Sequence, residues 1–191
     1  MDIGVAYRDL GPVDVTALAE GTLAQKADAW HEHELRQRTF EVHHDTHSIV
    51  LIFCDTRWPD PVITREPGWA RLAEVAQPLM DSIIAKFYTP GGVILRAMAA
   101  RLEVGGTIKP HVDAHESFVQ AHRIHIPLTS SAQVRFTIDG RPCPMSPGRA
   151  YEINNQKMHS VMNRGKLPRI SFIFDYCPPD RIGRSGATGS E

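Results

Sequence analysis

The sequence predicts a mainly β fold with flanking helices, arranged as a sandwich or barrel of the jelly-roll kind. Three observations lead there. From Val93 onward, short β-rich runs alternate with turn signals at Gly105-Gly106, Asp139-Gly140, Pro147-Gly148 and Arg164-Gly165, the pattern of antiparallel strands joined by tight connections. The long amphipathic stripe from Trp69 to Phe87 precedes those runs instead of alternating with them, which argues against a parallel α/β sheet. At 191 residues, the chain can bury one real core.

Taken in order, residues 13–30 set Val13, Val15, Leu18, Leu23 and Trp30 among polar neighbours. This predicts a helix that Asp14 or Thr16 can cap and that Gly21 weakens by about 1 kcal/mol. The charged segment beginning Trp30-His31-Glu32-His33 reads as a solvated face in spite of its His-x-His. Ser48 to Cys54 is a short apolar run rich in β-branched residues, hence a buried strand. Residues 55–67 read as loop, punctuated by Pro59, Pro61 and Pro67. Leu72, Val75, Leu79, Ile83 and Phe87 recur at helical spacing, with Pro78 predicting a kink or break near Gln77. Strands follow over 93–102, 108–113, 122–128, 133–138, 149–153, 159–163 and 169–175, and Asp139-Gly140 signals a hairpin. The reading is one domain over 1–177, with a helical and strand part (1–92) and a metal-binding jelly-roll part (93–177), followed by a mobile polar tail, 178–191.

Composition excludes several classes. A formal net charge of -1 offers no basic field for nucleic acid. The three cysteines, Cys54, Cys143 and Cys177, form no C-x-x-C, so neither a zinc ribbon nor a redox pair is expected, and a reducing cytoplasm suits them. No apolar stretch approaches the roughly 20 residues that span a bilayer. Oligomeric state is not specified by any of these features.

The chemistry gathers at Thr107-Ile108-Lys109-Pro110-His111-Val112-Asp113, answered by His159 and then Arg169. Two imidazoles and one carboxylate can occupy one face of an octahedral iron(II), leaving the opposite face for substrate and oxygen. His111 and Asp113, two apart, share a face if their segment is extended. Arg169 opens the last apolar strand ten residues past the distal histidine, where a guanidinium can grip one end of a dicarboxylate bidentately. Arg123 and His125 alternate with Ile124 and Ile126, so the polar pair points inward, towards the carboxylates of a cosubstrate, if the isoleucines face the helices.

At these residues the sequence resembles the iron(II)- and 2-oxoglutarate-dependent oxygenases of the aspartyl/asparaginyl β-hydroxylase family. The resemblance rests on Ala100 to His111, on Arg123-Ile124-His125-Ile126-Pro127-Leu128, and on His159 to Gly165 running into Arg169-Ile170 and ending at Asp175. It implies a double-stranded β-helix, iron held by His111, Asp113 and His159, and 2-oxoglutarate held at its distal carboxylate by Arg169. Arg123 and His125 are then expected near the carboxylate that chelates iron. The implied reaction consumes oxygen and 2-oxoglutarate, releases succinate and carbon dioxide, and hydroxylates an unactivated carbon. Its substrate would be an amino-acid side chain, in a free amino acid, a peptide or a protein. Some animal members lack the ligand carboxylate, whereas Asp113 is present here. That is closer to bacterial members, including free-proline hydroxylases, and argues against halogenation, since a halide needs the position Asp113 fills.

Other residues carry blander readings. His115, Glu116 and His122 lie in a segment over the metal or in a solvated loop. Arg36, Arg38, His43 and His44 are scattered surface charge or a cationic rim. Asn154 and Asn155 are turn formers, and Ser160 and Asn163 are candidate buttresses. The competing reading is a cupin-like module that binds a metal or a small ligand without 2-oxoglutarate. It leaves Arg169 and the Arg123-x-His125 pair without a purpose.

Overall fold

The computed structural model describes residues 1–32, 46–55 and 57–182. Within them, eleven strands form two antiparallel sheets. In chain order they are β1 (Tyr7–Pro12), β2 (Thr46–Cys54), β3 (Ile63–Arg65), β4 (Val93–Leu102), β5 (Thr107–His111), β6 (His122–Thr129), β7 (Val134–Ile138), β8 (Arg141–Pro142), β9 (Arg149–Ile153), β10 (His159–Asn163) and β11 (Arg169–Cys177). The helices are α1 (Thr16–Leu23), a 3-10 turn (Ala27–Trp30), α2 (Pro67–Phe87) and the one-turn α3 (Glu116–Val119). The larger sheet runs β1-β9-β6-β11-β4-β2-β3 and the smaller β5-β10-β7-β8. The mainly β jelly-roll architecture with helices outside it is therefore the fold.

The central strand β11 explains how the layers are held. All nine of its residues are buried, so both faces are covered. Ile170, Phe172, Phe174 and Tyr176 join the core under the helices, with Ile124, Ile126 and Leu128 of β6 and Leu72, Met80 and Ile83 of α2. Each such side chain contributes roughly 1.5–3 kcal/mol by leaving water. The alternate residues of β11 and β6 face the smaller sheet, which supplies Phe136, Ile138 and Val161 to a second core with Leu102 and Ile153. The expectation that Ile124 and Ile126 turn towards the helices, with Arg123 and His125 inward, describes this arrangement.

Helix α2 starts with Pro67 at its first turn, where no amide hydrogen is needed. It lies close on β2 because residue 68 is glycine: a Cβ there would meet Ile49 Cγ2 at 2.8 Å and the Val50 carbonyl oxygen closer still. Pro78 does not end the helix, which runs unbroken to Phe87. Pro78 and Glu74 are both exposed, so the carbonyl that loses its partner can turn to water.

The N-terminal part is not a layer apart from the sheet. β1 pairs with β9 and β2 with β4, and β3, inside the segment expected to be loop, extends the edge beyond β2. The expected helix over 13–30 is shorter, as α1 and the 3-10 turn; Asp14 Oδ1 accepts the Thr16 amide 2.9 Å away. Asp139 and Gly140 both have positive φ, 53° and 71°, and turn β7 into β8 as the Asp-Gly pair predicts. Among the described residues no helix is long and apolar enough to cross a membrane. The tail beyond 182 and the Arg36, Arg38, His43 and His44 cluster lie outside the described residues.

Candidate metal centre

His111 and His159 are direct Cα partners across β5 and β10, so their side chains leave the smaller sheet on one face, with ring centroids 4.3 Å apart. Each ring is fixed by the same device. His111 Nδ1 lies 2.8 Å from the Lys109 carbonyl oxygen and His159 Nδ1 lies 2.9 Å from that of Lys157. A carbonyl can only accept, so both Nδ1 atoms carry the proton and both Nε2 atoms keep their lone pairs. Burial pushes the His159 pKa down even though Asp113 pulls it up, which favours the neutral, ligating form.

Asp113 completes the group. Its Oδ1 is 3.7 Å from His111 Nε2 and its Oδ2 is 3.9 Å from His159 Nε2. One ligand atom from each of the three residues lies within 4.8 Å of the others. The reason differs in part from simple strand alternation, because β5 ends at His111. Asp113 sits in the following loop, pinned to the turn that leads into β10: its amide donates to the Asn155 carbonyl (3.1 Å), and Gln156 Nε2 donates to its carbonyl (3.0 Å). Asn155, expected as a turn former, thus also ties Asp113 to the segment that leads to His159.

Behind the triad, a narrow cavity between the two sheets is lined by His111, His159, Arg123, His125, Phe136 and Arg169, among others. Arg169 is 4% exposed, and its Nη2 has no hydrogen-bond partner. Among the described residues no carboxylate pairs with it; the Phe136 ring, 5.7 Å from its Cζ, is its nearest cation–π contact. Burial without a counterion pulls its pKa down to about 10. A buried cation in this state is a standing site for an anion.

Arg123, expected at a cosubstrate carboxylate, lines the same cavity, and its guanidinium already holds two protein carboxylates. Nε and Nη2 donate to Asp175 at 2.8 and 2.9 Å, and Nη1 lies 2.9 Å from Asp113 Oδ2. Burial opposes its charge, but the two carboxylates outweigh burial and hold it above the usual arginine value. His125 packs edge-on against Phe136, with ring centroids 5.6 Å apart.

The remaining candidates bond to partners outside the triad. His115 Nδ1 caps α3 by accepting the Ser117 amide, Glu116 bonds Gln120 within that turn, and His122 pairs with the buried Glu152. Ser160 bonds Thr137 on the neighbouring strand β7. Asn163 buttresses the chain rather than the triad: its Nδ2 faces the carbonyls of Leu102, Glu103 and Leu167. His31 stacks edge-on with His47 at 4.4 Å.

Sequence reasoning gave no role to Asp175 or Arg96. Signals existed: Arg96 is a charge inside the otherwise apolar Val93-Ile94-Leu95, Ala97-Met98-Ala99 run, and Asp175 lies six residues past Arg169, on the same face of β11.

Comparison with known proteins agrees with this geometry. The family model described as aspartyl/asparaginyl beta-hydroxylase matches residues 13–179. A search of curated proteins finds no match. Among solved structures, an oxidoreductase of the 2OG-Fe(II) oxygenase family from Burkholderia pseudomallei is similar at 18% identity, covering 86% of this chain and 85% of that one, with a TM-score of 0.55. A non-heme monooxygenase, ThoJ, in complex with nickel is similar at 15% identity, covering 91% of this chain and 74% of that one, with a TM-score of 0.57. At such identities the likeness speaks for the fold. The family match spans every strand that carries a triad residue, the cavity behind it and the helices outside, and it places the chain among the aspartyl/asparaginyl beta-hydroxylases: it is an oxygenase enzyme.

Proposed function

We propose that the protein is an iron(II)- and 2-oxoglutarate-dependent hydroxylase of an amino-acid side chain. The substrate is an aspartyl- or asparaginyl-type residue in a peptide or protein, or a free amino acid. His111, Asp113 and His159 hold the metal. When bound, iron with 2-oxoglutarate and oxygen supplies the oxidising power to hydroxylate an unactivated carbon, with succinate and carbon dioxide as co-products.

The observation that carries this reading is Arg169. A buried guanidinium without a carboxylate, in the cavity that also contains both triad histidines, suits the far end of a dicarboxylate whose near end reaches the metal. His125 lies along the same cavity, on the path to that near end. The two Nδ1 tethers keep the imidazoles oriented, with each Nε2 free of the tether. The apolar walls, Leu102, Ile108, Phe136 and Val161, exclude water, so a single anion recognised at Arg169 meets little competing solvation. Arg123 shares the wall.

Anaerobic addition of iron(II) and 2-oxoglutarate tests the reading. A weak visible charge-transfer band should appear and be lost in His111→Ala and in Asp113→Ala. Oxygen should then convert 2-oxoglutarate to succinate. Absence of both the band and succinate overturns the proposal. Screening amino acids and peptides by mass spectrometry for the gain of one oxygen atom identifies the substrate.

A further inference from the structure

Two arginines and an aspartate form a row across the middle of the larger sheet. Asp175 on β11 is the Cα partner of Arg96 on β4 and of Arg123 on β6. All three are buried, Asp175 to 1% exposure. Both Asp175 oxygens accept from Arg123, through Nε and Nη2. Arg96 Nη1 lies 3.7 Å from Asp175 Oδ2, and its Nη2 donates to Ser117 Oγ at 2.9 Å. The Phe118 ring packs against both guanidinium groups, its centroid 4.2 Å from Arg96 Cζ and 4.6 Å from Arg123 Cζ. Every side of Arg123 but one is therefore fixed. The remaining nitrogen, Nη1, points at Asp113 Oδ2.

We propose that Asp175 is a positioning residue for the metal site: it clamps Arg123 so that Arg123 holds one oxygen of the ligand Asp113 and leaves the other to the metal. This rests on the reading of His111, Asp113 and His159 as metal ligands. The charges give the reason for the clamp. An arginine beside a metal-binding carboxylate competes with the metal for it, and a free guanidinium could cover both oxygens. Asp175 takes the Nε–Nη2 edge of the fork, the edge best suited to a bidentate carboxylate. Only a single nitrogen is then left for Asp113. Arg96 and Ser117 in turn tie Asp175 to α3, the turn that follows the Asp113 loop, so loop and clamp are fixed to the same strands. Outer partners of metal-binding carboxylates commonly set affinity by about 10–100-fold.

The test is cobalt(II) binding to the full chain, followed by calorimetry and by the visible absorption of the bound ion. Cobalt binds imidazole and carboxylate sites more tightly than iron(II) does, so weakened variants stay measurable. Asp175→Asn should lose about 10-fold or more in cobalt affinity and change the absorption envelope. The decisive arm is the same substitution in an Asp113→Asn background. If Asp175 acts through Asp113, it should there change affinity by less than about twofold, because the coupling partner is gone. Equal losses in both backgrounds would mean a merely structural role and overturn the proposal. Arg123→Lys, which keeps the charge but cannot hold both carboxylates at once, serves if Asp175→Asn fails to fold; affinity within twofold of the parent would likewise overturn it. Failure of the parent protein to bind cobalt, or binding that survives His111→Ala, instead removes the metal-site reading on which the clamp depends.

Discussion

His111 and His159 face one another across β5 and β10, and each is tethered at Nδ1 to the carbonyl two residues before it. Backbone carbonyls thus take part in orienting both rings. His111→Gln and His159→Gln should each weaken manganese(II) binding by roughly 100-fold and leave the thermal midpoint of the metal-free protein nearly unchanged. Anaerobic titration calorimetry and a melting scan measure the two effects.

Arg169 offers a trade between stability and function. Replacing an uncompensated buried cation by an apolar side chain of similar length removes a desolvation cost of about 1–4 kcal/mol. Arg169→Met should therefore raise the thermal midpoint of the ligand-free protein by a few degrees. The same change should weaken 2-oxoglutarate binding to the metal-loaded protein by about 100-fold or more, since it removes one half of a buried charge pair. Metal affinity should stay within a fewfold of the parent. A lowered midpoint contradicts the picture of a cation waiting for its anion.

Asn163 tests the frame around the site. It is fully buried, faces three backbone carbonyls through Nδ2, and accepts the Gly165 amide through Oδ1 at 3.0 Å. Asn163→Ala strands these groups and should cost about 2–4 kcal/mol in urea unfolding. Asn163→Asp should be no better, because a carboxylate cannot donate to carbonyls.

The cysteines should be inert in the folded protein. All three are buried, and burial pushes the Cys143 thiol up to about 12 and that of Cys177 up to about 11. At pH 8 the thiolate fraction of each is far below that of a free cysteine. A thiol-reactive chromophore should label essentially none in buffer and all three in guanidinium chloride. Rapid labelling of one in buffer would show that its wall opens.

The gain from sequence alone was uneven, for physical reasons. That His111, Asp113 and His159 come together, with Arg169 in the adjoining cavity, was legible because ligand chemistry restricts residue type, and strand order restricts spacing. The inward turn of Arg123 and His125 was legible from alternation with Ile124 and Ile126. The partner of Arg123 was not: Asp175 is 52 residues away, and alternation reveals a face without revealing what faces it. Asp113 was placed on a strand that stops at His111, because the contacts that hold it come from the Asn155–Gln156 turn, far along the chain. β1 was missed since Tyr7-Arg8-Asp9-Leu10-Gly11-Pro12 has no clean alternation, and its register shifts between Asp9 and Gly11. β3 and β8 are too short to carry a pattern of their own.

The position of β1 has a consequence for how the molecule comes into being. Arg8 reaches Glu152 across 144 residues of chain, and the triad's own strands, β5 and β10, are separated by four others. Such non-local pairings close long loops, and folds dominated by them reach the native state in about milliseconds to seconds rather than microseconds. Neither the sheet edge beside β9 nor the three-residue metal group can exist until residues beyond 150 have been synthesised. On the proposed reading, metal loading therefore follows synthesis of β10, when His159 joins His111 and Asp113.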